Sequence, residues 1–573
     1  MKMKKRISIT LIILILFSFL SVSLFGCGGA NDKEENALTL FVNNGNKFDG
    51  AAKDSIWKHI EEETDTTLYF IGASHASSYY TKLNPLMNTI TNMPDVVFLV
   101  PSSEEMGKTT FSVKWTDPEI GLLYSFEELM ARYPAGTYPY LEKIFSSSQY
   151  GNIKHHDNHY ILPMVTTKNS WGIYYRTDWL VNVGYYQKDE QGNPILDQNG
   201  DKIPRFPQNI VEFSEVLKLF TTADPDQDGK HNTYGWAPGS GEHCWNVLYH
   251  AFGVTPDWDI DDEGNIDYMY TSEKFRNFLA WASAMYSQGY IFPTYSSLPA
   301  NGERDKFYDG TCGILITNAE SHVSFIMDKM TKLGKGQSVQ FGPAIEGVGE
   351  FTINGQTFYS EEGSKGFSDW GGWWGGYCIT KACKNIKGAL KLFDYMLSPE
   401  GSMLRLHGKE GVHYTIDENG EIVPNIQARA IEGGGKFEEF TVGGVSAPLG
   451  RYVLGTIFGS SIDWEKVEES GVWDVKISAK IIDPANEVLV QQALDNMVLK
   501  SSRLVNFTDY SASVITQMVD VEDISSAFVN NAIIGKKNLT SDWNAMISGI
   551  KGAKWTVLTN AMKSSLKNAG VID

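Results

Sequence analysis

The 573-residue sequence predicts an α/β protein built as two lobes with additional helices. Three observations predict it. Short apolar strands alternate with helical patterns through the first hundred residues or so. A long middle segment alternates hydrophobic stretches with acidic, glycine-containing turns. Helical periodicity then takes over after Asp483-Pro484, a pair suited to an N-cap and the first helical position. The length suits roughly three to four units of about 150 residues, or two large lobes.

The elements follow in order. Lys2, Lys4, Lys5 and Arg6 precede an uncharged apolar run from Ile7 to Gly26. Flanking cations hold the start of such a segment inside while the run enters the membrane. The run is long enough to be kept as an anchor helix, but Leu24-Phe25-Gly26-Cys27 resembles a bacterial lipobox, whose cysteine thiol is diacylated before the leader is cut away. The expectation is a lipoprotein signal peptide over 1–26, a lipid (palmitate-type) anchor on Cys27 and a polar tether over 27–36. Buried acyl chains contribute about 0.8 kcal/mol per CH₂, so two or three of them anchor a protein durably.

Leu38–Val42 is expected as a strand, followed by a helix carrying Ile56, Trp57 and Ile60. Thr67–Ile71 and Val96–Val100 are further strands, and Tyr79–Ile90 is a second helix with Leu83, Leu86, Met87 and Ile90 at helical spacing. The sheet they form is expected to be largely parallel. Asp189–Gly192, Asp197–Gly200, Asp261–Asn265 and Asp417–Gly420 supply residues that tolerate left-handed torsions, and each is read as a hairpin tip. Trp543, Met546, Ile547 and Ile550 mark a late helix, and residues 555–573 another.

Charge and composition exclude whole classes. Lys and Arg number 49 against 69 Asp and Glu, a net charge of −20 that becomes −24 once the leader's four cations are removed. Phosphate neutralisation needs clustered Lys and Arg, so no nucleic-acid partner is expected. With 42% hydrophobic residues, including 15 Trp, 27 Tyr and 29 Phe, the chain is no disordered acidic tail. Beyond Cys27, the cysteines Cys244, Cys312, Cys378 and Cys383 lack metal-ligand spacing and read as buried thiols, with a disulfide left open.

Tyr174-Tyr175-Arg176-Thr177-Asp178-Trp179-Leu180, Phe206-Pro207 with Phe213, Val216, Leu217 and Phe220, and Asp224-Pro225-Asp226-Gln227-Asp228-Gly229-Lys230 running into Thr233-Tyr234-Gly235 occur in that order. Leu397-Ser398-Pro399-Glu400-Gly401, Gly408–Tyr414 and a closing segment Phe528–Trp543 follow. Together these resemble the bacterial extracellular solute-binding proteins of family 1, lipoprotein receptors of carbohydrate ABC transporters. The resemblance implies a type II periplasmic-binding-protein clamshell that holds ligand between its lobes. The first lobe would take residues 37–165 with about 379–440, the second 166–378 with about 441–573, and the chain would cross near 162–171 and 368–378.

A sugar site needs flat aromatic faces for C–H stacking and Asp, Glu, Asn, Gln, Arg or His for its hydroxyls. Trp370, Trp373, Trp374 and Tyr377 lie among four glycines at the second crossing, and Trp171 follows the first. Trp236, Glu242, His243 and Trp245 combine both chemistries in one loop. Asn43 and Asn44 after the first strand, and Asn318 after Ile314–Ile316, fall where α/β sheets commonly place ligand contacts. For each of these residues packing is an equal reading. Asp224, Asp226, Asp228, the Lys230 carbonyl and Asn232 occupy positions 1, 3, 5, 7 and 9 of a calcium loop, with Gly229 at its sharp turn and Gly235 where a bidentate Glu would close it. A structural Ca²⁺ is expected there. For His155, His156 and His159 the resemblance implies a short hairpin with Asp157-Asn158 as its tip, a poor geometry for a metal. Glu410 and His413 lie in a family-like motif without an assigned role.

The sequence contains no G-x-S-x-G, H-E-x-x-H or G-x-x-x-x-G-K-[ST] motif. The reading is therefore a receptor without catalysis, lipid-anchored on the outer face of a bacterial cell membrane. It would capture an oligosaccharide and deliver it to an ABC importer permease. A secreted glycan-active enzyme, a surface sensor or adhesin, and a peptide ligand stay open as alternatives.

Overall fold

The computed structural model describes residues 35–43, 55–73, 79–99, 110–117, 119, 121–146, 154–165, 171–239, 244–261, 263–299, 301–318, 323–368, 373–420, 422–425, 461–462, 475–476, 499–500, 510–552, 554–568 and 572. The expected helix start at Asp483-Pro484 lies outside them. The chain begins with β1 (Ala37–Asn43), α1 (Ser55–Thr64), β2 (Thr67–Ala73), α2 (Tyr79–Leu86) and β3 (Val96–Leu99). Strand β1 pairs in parallel with β2 and β3, with Asn43 opposite Ala73 at its far end. All four residues of β3 are buried, as an apolar strand covered on both faces requires.

Helix α2 stops at Leu86, four residues short of the expected Ile90. Pro85 has no N–H for the Thr81 carbonyl, and the Asn92 and Met93 N–H groups close a separate turn on the Thr89 carbonyl. Ile90 is left exposed.

After α3 (Phe126–Met130), α4 (Pro139–Ser146) and β4 (Leu162–Val165), the chain enters a second sheet. There it forms β5 (Trp171–Arg176), α5 (Thr177–Asn182), α6 (Ile210–Thr222), β6 (Tyr234–Trp236) and α7 (Asn246–Tyr249). The hairpin β7 (Trp258–Ile260) and β8 (Ile266–Tyr268), α8 (Glu273–Ser287), α9 (Gly302–Tyr308), β9 (Cys312–Asn318) and α10 (Val323–Lys332) follow. Next come β10 (Val339–Gly342), the hairpin β11 (Glu350–Ile353) and β12 (Gln356–Tyr359), and β13 (Phe367–Ser368). The chain then returns to the first sheet as β14 (Trp373–Ile379) and continues through α11 (Ile386–Leu397), α12 (Pro399–His407), β15 (Tyr414–Ile416) and β16 (Ile422–Pro424). Late helices α13 (Ala512–Ile533), α14 (Ser541–Gly552) and α15 (Trp555–Asn568) pack onto the second lobe.

The sheets run β2-β1-β3-β14-β4 and β10-β5-β9-β6. Strand β14 is antiparallel to both neighbours, so the first sheet is mixed. In the second, β5 is antiparallel to β10 and β9, while β6 parallels β9. Each sheet has its own hydrophobic core, giving a two-lobed α/β molecule. Tyr377 and Cys378 belong to the first core, so that lobe reclaims the chain at β14 and not at about 379.

Most of the described Trp, Tyr and Phe residues fill these cores. Trp258 stacks on Tyr268 and on the half-buried Trp555, with centroids 4.2 and 5.6 Å apart. Its Nε1 donates to Glu522 at 3.2 Å, and the Tyr268 hydroxyl lies 2.7 Å from the Ser525 hydroxyl. Hairpin β7–β8 is thereby tied to α13 and α15. All four acidic turns are tips closed by their own aspartate: Asp189, Asp197, Asp261 and Asp417 each accept backbone N–H groups two residues ahead, and the first three also four ahead. Those bonds, led by the ones from Asn193, Asp201 and Asn265, hold the Asp189, Asp197 and Asp261 carboxyls below their ordinary range.

Candidate functional site

Parallel strands end on a common side, and that side is where open α/β sheets place ligands. In the first sheet β1 ends at Asn43 and β3 at Leu99, while β14 begins beyond Leu99 with Trp373 opposite Val165 at the end of β4. In the second sheet β9 ends at Asn318, directly opposite Trp171 at the start of β5. Both connections between the sheets touch these edges, one from Val165 to Trp171 and the other from Ser368 to Trp373. The register thus brings Asn43 and Trp373 to one edge and Trp171 and Asn318 to the other, with Trp374 next in β14. Trp171 is half-buried. Asn44, Glu242, His243, Trp370 and Cys27 lie outside the described residues.

Three other aromatic candidates are core residues. Trp236 and Trp245 are 0% and 1% exposed, packed edge to face on each other at 4.7 Å. Phe213 flanks Trp236, and Phe278 and Tyr295 flank Trp245. Tyr377 is likewise buried, between Phe98 and Phe393. Aromatic neighbours cover the faces a sugar would need, so these three residues pack the lobes.

Sequence reasoning passed over Glu303. It sits in the first turn of α9, where a glutamate is usually a solvated helix-start residue, and no motif surrounds it. Its side chain is only 9% exposed, with Arg304 Nε 3.8 Å away. Burial raises its carboxyl above the ordinary glutamate value. A fold that brings α9 against the residues after β6 was needed to find it.

The Asp224 loop joins α6 to β6. One carboxylate oxygen each from Asp224, Asp226 and Asp228 fall within 4.8 Å of one another. Asp224 and Gln227 adopt φ of +48° and +59°, and Gly229 +77°. The Asn182 side chain holds the loop by donating to the Pro225 carbonyl at 2.8 Å. Asp224 Oδ2 accepts from Gly229 N at 3.1 Å, while its Oδ1 is buried without a hydrogen-bond partner. Lys230 donates to Asp228 through both its backbone N–H, at 2.8 Å, and its ammonium, at 2.9 Å, and Asn232 Nδ2 approaches the same carboxylate at 3.3 Å. Burial first, then the Asp228 charge, raises the Asp226 carboxyl. An orphaned buried oxygen beside two further carboxylates fits a hard cation with oxygen ligands.

The remaining sequence candidates are structural. His156 and Asp157, with φ of +50° and +62°, form the tip of the hairpin closed by His155 and Asn158, one residue earlier than expected. A two-residue turn with both central torsions positive accounts for the shift. His159 is buried against Glu127, and burial lowers the His155 pKa to about 4. Buried His413 accepts from Lys409 N at 2.8 Å, bracing the turn after α12, while Glu410 is exposed. Cys244, Cys312, Cys378 and Cys383 are buried and none of them is in a disulfide.

A family model described as bacterial extracellular solute-binding protein matches residues 44–403. The chain is 24% identical over 254 residues to the lipoprotein LipO of Bacillus subtilis, an alignment covering 42% of this chain and 44% of the relative. It is 23% identical over 258 residues to the polygalacturonan/rhamnogalacturonan-binding protein YtcQ of the same organism, covering 43% and 44%. Each alignment therefore spans less than half of the relative's length. The fold matches the crystal structure of the alginate-binding protein AlgQ2 without calcium ion, with a TM-score of 0.61 and 16% identity over 93% of this chain and 98% of that one.

Proposed function

Because the chain belongs to the bacterial extracellular solute-binding proteins, we propose that it captures a carbohydrate between its two lobes and hands it to the permease of an ABC importer. The observation that carries this reading is the convergence of both sheet edges on the two chain crossings, with Trp171 opposite Asn318 on one side and Trp373 opposite Val165 on the other. Contacts from both lobes favour the closed form, and preferential affinity for that form is what drives closure. YtcQ and AlgQ2, both named for polysaccharide ligands, support sugar as the ligand class. The chemistry asked of the chain is binding; ATP would be hydrolysed by partner subunits.

Cys27 would carry the lipid anchor and hold the receptor outside the cell, a reading supported by the lipobox-like segment and by the lipoprotein relative. Asp224, Asp226 and Asp228, with the Lys230 carbonyl and Asn232, would hold a calcium ion that stiffens the turn between α6 and β6. The ion would supply charge neutralisation for three clustered carboxylates. A thermal-shift screen against mono-, oligosaccharide and peptide libraries, with calcium present, tests the ligand class. Stabilisation by oligosaccharides is expected; stabilisation by peptides alone overturns it. Release of reducing ends from a polysaccharide by the purified protein would indicate the enzyme instead. Loss of uptake on gene deletion separates an importer receptor from a sensor.

A further inference from the structure

We propose that Tyr79 is a positioning residue of the ligand edge: its hydroxyl bridges the ends of β1 and β3 and fixes the spacing at which the two strands meet a sugar. The inference rests on the carbohydrate-receptor reading and adds a residue to it.

Topology comes first. From β1 the chain steps to β2 on one side, then returns past β1 to β3 on the other. The seam between β1 and β3 is therefore the switch point of the first sheet, and open α/β sheets bind ligands outside the strand ends at such a seam. Strands β1 and β3 pair at Leu40 with Val96 and at Phe41 with Val97. Further along they follow different neighbours. Val42 and Asn43 lie opposite Gly72 and Ala73 of β2, while Phe98 and Leu99 lie opposite Tyr377 and Gly376 of β14.

Chemistry comes second. Tyr79 is the first residue of α2, and helix side chains lean towards the helix start. Its side chain is fully buried, with the ring edge to face on Phe41 at 4.9 Å. The hydroxyl donates to the Phe98 carbonyl at 2.8 Å and also reaches the Phe41 carbonyl at 3.2 Å. One side chain thus ties both strands where their own pairing stops, one residue short of Leu99 and two short of Asn43. Gly72 secures β1 from its other side. Its φ is +151°, and a Cβ there would lie 2.0 Å from the Val42 carbonyl oxygen, so only glycine allows so close an approach. The end of β1 is held between that contact and the Tyr79 hydroxyl. A binding site keeps its affinity only while its groups stay within about 0.5 Å of the productive geometry. Removing the hydroxyl takes a donor from two carbonyls and unties the strand ends, so it acts on affinity as well as on stability.

Isothermal titration with cello-, manno-, xylo- and maltotetraose and with tetragalacturonate picks out the tightest-binding probe, which is then applied to two variants. Tyr79→Phe keeps the ring and loses the bridge. Thr380→Val is the control: it loses a similar bond, from the Thr380 hydroxyl to the Pro94 carbonyl at 2.6 Å, at the opposite end of β3. Both variants are expected to melt a few degrees lower. Only Tyr79→Phe is expected to bind the probe more weakly, by about ten-fold. In the unaltered protein the same probe should slow amide hydrogen exchange over residues 40–43 and 96–99, a readout that needs no variant to fold. Affinity of Tyr79→Phe within about two-fold of wild type, an equal loss in Thr380→Val, or exchange unchanged at these strand ends overturns the inference while leaving the receptor reading intact. Failure of every glycan to bind overturns the receptor reading, and this inference with it.

Discussion

Asp224 combines a left-handed backbone, a half-exposed side chain and one buried oxygen without a partner. Non-glycine residues adopt such torsions at a cost of roughly 1 kcal/mol or more, so the loop is held by its surroundings, with Asn182 as one tie. If calcium completes the set, chelator should lower the melting temperature and Asp224→Ala should abolish that response. Calcium at a hundred times its Kd would be worth about 2.7 kcal/mol. Differential scanning fluorimetry with and without chelator checks it, and a wild-type curve insensitive to both calcium and chelator removes the ion. Gly313 carries a second prediction at this scale. A Cβ there would lie 2.3 Å from Phe220 Cδ2 and 2.4 Å from Trp179 Cε3. Gly313→Ala should cost about 1–3 kcal/mol in urea unfolding through overpacking. At this scale the sequence was least legible: Trp236, Trp245 and Tyr377 had the right composition for a cleft, and only their neighbours show that they are core.

Helix α4 shows how one element is secured by another far along the chain. Its first-turn Tyr140 and Leu141 N–H groups donate to Asp394 Oδ1 of α11, at 2.8 and 3.0 Å, so a residue some 250 positions away performs the capping. Asp394→Ala should cost about 1–2 kcal/mol of unfolding free energy, measured by denaturant titration. Burial pushes the Asp394 carboxyl up to about 6, against the opposing backbone bonds. A raised folded pKa means that the folded state binds this proton more tightly, so the local contribution strengthens as pH falls from about 6 towards 4. Asp394→Asn should retain an acceptor and lose that pH dependence; a mutant whose stability profile between pH 4 and 7 matches the wild type would contradict it. Element boundaries were readable where local chemistry sets them. β1 and β2 were anticipated to within two residues, whereas α2 ended early because Pro85 removed a hydrogen bond that apolar spacing alone does not register.

For the whole molecule, function reduces to how the two sheet edges meet around a ligand. Trp171 is the half-buried aromatic that the register places at the second edge. Trp171→Ala should weaken oligosaccharide binding about ten-fold, the equivalent of about 1.4 kcal/mol, with little change in melting temperature. Solution scattering should show a smaller radius of gyration on ligand addition; an unchanged radius with stoichiometric binding would argue against closure. The sequence by itself determined the α/β class, the order of the first three strands and two helices, the acidic hairpin tips and the family, because these follow from local periodicity, turn residues and short motifs. Tertiary structure alone decided which aromatics are spent on the cores, that β14 returns to the first sheet, and that Glu303 is buried. The physical reason is burial. Whether a tryptophan offers a face or a glutamate keeps its water depends on residues tens to hundreds of positions away, and no local pattern encodes that distance.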